Sequence, residues 1–79
     1  MNTDFGKNLK RERIAAGMSQ KELAAKVGTT QQLLSRWELG EVEPTLGNII
    51  ALLKVLNVTF EDLIDMENAD DQSEKRKTE

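Results

Sequence analysis

Ser19 to Gly40, SQKELAAKVGTTQQLLSRWELG, has the pattern of two short helices joined by a tight turn. Ser19 followed three residues later by Glu22 has the form of a capping box, in which each side chain satisfies an amide at a helix start. Leu23, Ala24 and Val27 then give a narrow apolar face, and Gly28 takes the left-handed conformation that closes such a helix. Thr30 is the next residue able to cap. Leu33, Leu34 and Trp37 supply the apolar positions of a second helix that stops at Gly40. The turn between the two is too short for them to lie side by side, so they cross steeply. Ala24 suits the crossing because a larger side chain would push the helices apart.

The face of the second helix turned away from that crossing carries Gln31, Gln32, Ser35 and Arg36, with Thr30 at its amino end. An amide pairs bidentately with adenine, a guanidinium pairs with guanine, and the methyl groups of Thr30 or Leu33 can touch the methyl of thymine. Any one of these residues is ordinary on a surface helix. Together with the cap, Ala24, Gly28, Leu34 and Trp37 in register, they have the form of a helix made to read the major groove.

GMSQKELAAKVGTTQQ followed by LLSRWELG resembles the helix-turn-helix domain of the lambdoid phage repressors, the Cro proteins and the large bacterial class of regulators similar to them, the XRE family. The resemblance runs from Phe5 to about Ile64. It implies an all-α, compact five-helix domain like that of the lambda repressor. It also implies a phosphate contact for Gln20, base contacts for Gln31, Gln32 and Arg36, and a buried or half-buried salt bridge between Arg13 and Glu38. The chain departs from many relatives after the Trp: Leu39, Glu41 and Glu43 stand where basic or amide side chains commonly touch the DNA backbone.

Outside the motif, the 79 residues make one domain with a small core. The chain contains no Cys and no His, so disulfides are excluded, and zinc, haem and histidine-based catalysis have no evident ligands or bases. Ser19 and Ser35 have no base beside them in the sequence to make them nucleophiles. No catalytic residue, cofactor, metal or small-molecule ligand is expected. The apolar runs are too short to span a bilayer and the amino terminus lacks the order of a secretory signal, so the expected location is the cytoplasm.

A net charge of −3 runs against simple attraction to phosphates. Up to Met66 the chain has eight basic and nine acidic residues, and Glu67 to Glu79 has three basic and five acidic, so the domain itself is close to neutral. Placement then matters more than the sum, and Lys7, Lys10, Lys21 and Arg36 are the candidates for the side facing the duplex.

In chain order, Asn2 or Thr3 is expected to cap a helix starting near Asp4, with Phe5, Leu9, Arg13 and Ala16 at helical spacing and Gly17 at its end. Arg13 on the buried stripe requires a partner. Pro44 and Thr45 lead into a helix from Leu46 to Leu56 whose apolar residues cover most of its circumference, which predicts a central helix packed on several sides. Asn57 ends it. Thr59 with Asp62 repeats the capping pattern before a short last helix in which Phe60 and Leu63 are expected to seal the core. Residues 67–79 have no apolar period and read as a charged, disordered tail after a domain of residues 1–66. Leu39, Val42 and Leu46 would form a small exposed apolar patch for a second subunit.

The function expected from the sequence is a sequence-specific regulator of transcription, in the main a repressor. It would bind double-stranded DNA as a homodimer on a two-fold symmetric operator with half-sites about 34–36 Å apart. Two other roles fit the same residues: an antitoxin or the controller of a restriction system, and an adaptor using this fold for protein contacts.

Overall fold

The computed structural model describes residues 4–64. Among them are five helices and no strand: α1 (Phe5–Ala15), α2 (Gln20–Val27), α3 (Gln31–Leu39), α4 (Leu46–Leu56) and α5 (Phe60–Ile64). The tail and the end of the domain expected at Met66 lie outside the described residues, as do Asn2 and Thr3. Asp4 holds the N-cap position of α1 and makes no capping hydrogen bond through its side chain.

The boundaries follow from local chemistry. The amide of Glu22 donates to Ser19 Oγ at 3.0 Å, and the amide of Leu33 donates to Thr30 Oγ1 at 3.1 Å, so both motif helices start on a satisfied cap. The carboxylate of Glu22 does not return a bond to Ser19, so only half of the expected box forms there. Complete boxes form at Thr45 with Asn48 and at Thr59 with Asp62, where the amide of Thr59 donates to Asp62 Oδ2 at 2.9 Å. Gly28 closes α2 at φ 81°, a backbone conformation that lets the chain turn sharply into α3 and that a side chain would strain.

The core is built from Phe5, Leu9, Leu23, Ala24, Leu34, Trp37, Ile49, Leu52, Leu56, Leu63 and Ile64. Helix α3 packs on α1 and α2, α5 packs on α1, and α4 packs on α2. Two sequence expectations change here. Helix α4 buries only Ile49, Leu52 and Leu56, with Leu46 68% and Ile50 45% exposed, because one side of it has no helix against it among the described residues. Phe60 is 41% exposed, and Ile64 takes the inward position expected of it, beside Leu63, which is buried as the sequence predicts.

Two contacts fix α1 in the bundle. Asn8, buried, donates through Nδ2 to the carbonyl of Leu63 at 3.0 Å, and Arg11 Nη2 reaches the carbonyl of Asp62 at 3.1 Å. These bonds satisfy acceptors at the end of α5 that its own helix leaves unpaired. At the other end of α1, a Cβ built on Gly6 would overlap the carbonyl oxygen of Glu38 and lie 2.7 Å from that of Trp37. The backbones of α1 and α3 therefore touch at Gly6, and only glycine allows the approach.

Candidate nucleic-acid interface

Helix α3 is amphipathic at the helical period. Leu34 and Trp37 turn inward and are fully buried, and Gln31, Gln32 and Arg36 are exposed on the opposite side. Nine residues at 1.5 Å per residue give a rod about 13 Å long, enough to lie along several base pairs of a major groove. Gln20, Gln31, Gln32, Ser35, Arg36, Leu39 and Glu41 line one open concavity between the start of α2 and the outer face of α3. Thr30 stands at the N-cap of α3, its hydroxyl oxygen occupied in accepting from the amide of Leu33.

Leu33 does not share this surface. It is half-buried and packs against the core, because its position one residue before Leu34 turns it along the flank of the helix. In its place the structure brings Leu39 and Glu41 to the concavity. Leu39 lies four residues after Ser35 and eight after Gln31, and that helical spacing is the signal that places it on the same stripe. Glu41 follows because its amide donates to the carbonyl of Arg36 at 3.0 Å, folding the chain back over the end of α3.

Beneath the concavity lies a charged network. Arg13 Nε donates to Glu38 Oε2 at 2.6 Å, and Arg13 Nη2 donates to Glu38 Oε1 at 3.2 Å. Arg13 Nη1 also donates to the carbonyl of Met18 at 2.9 Å. The side chains of Arg13 and Glu38 are 11% and 4% exposed, so the pair sits in a low-dielectric setting with most of its hydrogen-bonding capacity filled. Gln20 joins the network by donating from Nε2 to Glu38 Oε1 at 3.0 Å. Helices α1, α2 and α3 are thereby tied through one carboxylate.

Among the cations proposed for the DNA side, Arg36 lines the concavity, and Lys7 borders an adjoining groove with Asp4, Gly6, Glu38, Leu39 and Gly40. Lys10 and Lys21 are exposed and line neither. No cluster of residues able to hold a metal ion occurs among the described residues, and no helix there is long and apolar enough to cross a membrane.

The sequence profile of the helix-turn-helix family matches residues 9–63. The chain belongs to that family. It is 35% identical over 60 residues to the SPbeta prophage-derived HTH-type transcriptional regulator YonR of Bacillus subtilis, covering 76% of this chain and 56% of YonR. The chain thus spans little more than half the length of that relative. Its fold is similar to that of the restriction-modification controller protein C.AhdI from Aeromonas hydrophila, with a TM-score of 0.73 and 31% identity over 78% of this chain and 94% of the controller. It is also similar to the P22 c2 repressor, solved in complex with a synthetic operator, with a TM-score of 0.72 and 30% identity over 76% of this chain and 91% of the repressor. As a helix-turn-helix domain, the chain has α2 and α3 as its motif and α3 in the position of the reading helix.

Proposed function

We propose that this protein is a sequence-specific DNA-binding regulator of transcription that lays α3 in the major groove and acts by occupying a promoter in the cytoplasm, without catalysis. One observation carries the reading: Gln20, Gln31, Gln32, Ser35 and Arg36 converge on one open surface while Leu34 and Trp37 anchor the same helix from behind. Amide and guanidinium groups held on a rigid helix are suited to base edges, and the family to which the chain belongs supports that use. Gln31 and Gln32, exposed at the first turn of α3, are the residues to read adenine, with Arg36 set to read guanine one turn later.

The domain offers few cations to phosphates, and Glu41 adds an anion to the concavity itself. A single copy therefore binds weakly, and two copies on a two-fold symmetric operator, with half-sites about 34–36 Å apart, supply the affinity. Repression by occupancy is the first role. A second role, control of a restriction system, is favoured by the likeness to C.AhdI over nearly the whole of that controller.

The experiment is a selection from randomised duplexes at low salt. The expected product is a symmetric site with A-containing half-sites. Failure of any duplex to enrich would remove the DNA-binding reading and leave the exposed face of α3 to protein contacts.

A further inference from the structure

We propose that the outer face of α4, built on Leu46, Gly47 and Ile50, is a two-fold contact with a second copy of this chain. The inference deepens the reading above, which calls for two copies on one operator, and says which surface brings them together.

Three observations single out this face. Leu46 is 68% and Ile50 45% exposed, one helical turn apart on the side of α4 that no helix covers among the described residues. Gly47 is exposed beside them, and a Cβ built there meets only Thr45 Oγ1 at 3.8 Å, an ordinary contact. Unlike Gly6, Gly47 is therefore not required by the packing of its own domain, although glycine is a poor helix former. A missing side chain next to two exposed apolar ones lets another helix come close. The third observation is what the rest of the sequence lacks: outside the described residues its only apolar side chains are Met1, Met66 and Ala69, too few to cover the face.

Charge decides the occupant and its direction. Lys54 continues the stripe one turn beyond Ile50, and Glu41 and Glu43 precede the start of α4, all three exposed. The face thus has an acidic end and a basic end. A second α4 laid antiparallel sets Lys54 of each copy toward the acidic end of the other, whereas a parallel one would set lysine against lysine. In the antiparallel arrangement the two-fold axis passes by Ile50, which meets its own copy. Leu46 then lies under the aliphatic stem of Lys54 from the other copy. Leu39 lines the reading concavity and is left to that surface. Two apolar side chains and a bare turn fall well short of the ~800 Å² per partner of a stable interface. The contact is accordingly weak alone and takes effect when a duplex holds two copies side by side.

The test uses the full chain, first without DNA. The methyl resonances of Leu46 and Ile50 should shift between micromolar and millimolar protein, with sedimentation equilibrium reporting a monomer and dimer in exchange. Ile50→Glu, which sets two carboxylates at the axis, should abolish both signals. Gly47→Ala should raise the melting temperature and weaken pairing; a glycine of no use to a partner would give the first change without the second, which overturns the close approach. On the selected symmetric site the second copy should bind about 5–150-fold more tightly than on an isolated half-site, and Ile50→Glu should remove that gain and keep half-site affinity.

A wild type that stays monomeric at millimolar concentration overturns the proposal and leaves the face to an unlike partner. Concentration-dependent shifts confined to Ile14, Leu39, Val42 or Phe60, the other exposed large apolar side chains, overturn it as well. A wild type that pairs through α4 but selects no duplex removes the DNA-binding reading and leaves the contact standing.

Discussion

Arg13→Met tests the network under the reading helix. The substitution keeps the length and apolar stem of the side chain and removes the guanidinium. Glu38, 4% exposed at its side chain, is then left with one hydrogen bond from Gln20, and the carbonyl of Met18 loses its donor. Breaking a buried pair by removing one partner costs about 3–5 kcal/mol. A domain of ~60 residues, at about 0.05–0.15 kcal/mol per residue, has about 3–9 kcal/mol in all. With about 4–8 °C of melting temperature per kcal/mol at this size, the variant should melt at least ~12 °C below wild type and be partly unfolded at 25 °C. Circular dichroism at 222 nm during heating and urea titration measures both. Arg13→Met/Glu38→Leu, which leaves no unpaired charge, should regain most of the loss. A single variant melting within a few degrees of wild type would refute the reasoning, since a carboxylate so enclosed cannot lose its counter-ion without consequence.

Gly6→Ala is expected to destabilise the domain by about 1–3 kcal/mol or more, because the added methyl meets the carbonyls of Trp37 and Glu38 and one backbone must move; urea titration measures it. Gln31→Ala should leave the melting temperature within a degree or two and lower affinity by about 1–3 kcal/mol for the preferred duplex, relaxing one base position; fluorescence anisotropy on matched and mismatched duplexes reads the difference. The Asp62 carboxyl lies below its ordinary range, first because of the backbone and side-chain hydrogen bonds from Thr59 and then because of nearby Arg11. A carboxyl whose folded value is depressed contributes stability above the ordinary aspartate range and loses it as pH falls through the folded value, so Asp62→Asn should flatten the fall in melting temperature on the acid side of pH 4.

What the sequence disclosed was the part written in local chemistry. Ser19, Thr30 and Thr59 cap because a hydroxyl and an amide three residues on are neighbours whatever the rest of the chain does, and Gly28 turns because glycine lacks a Cβ. Leu34 and Trp37 point inward because the helical period says so. The apolar residues of α4 cover most of its circumference and so give no such direction: which of its sides meets a neighbour is decided by α2, and Leu46 and Ile50 fall on the side that does not. Phe60 was misplaced because the first residue of a five-residue helix has too little period to follow.

The interface divides in the same way. Gln31, Gln32, Ser35 and Arg36 share a face at helical spacing and were legible. The bond from Gln20 to Glu38 joins residues 18 apart through the crossing of two helices, and Asn8 reaches Leu63 across 55 positions. Neither distance leaves a mark on the sequence. The resemblance to a family paired Arg13 with Glu38, and the periodicity of α1 alone said only that Arg13 required some partner.

The meeting of bare main chain with bare main chain at Gly6 has a bearing on how such a protein changes its target. The seat of α3 against α1 there is set by carbonyl oxygens and a missing methyl, and the outward side chains of α3 take no part in it. Gln31, Gln32 and Arg36 are therefore open to exchange without disturbing the angle at which the rod is held, and under the proposed function a new target would be reached by replacing the letters on a fixed type block.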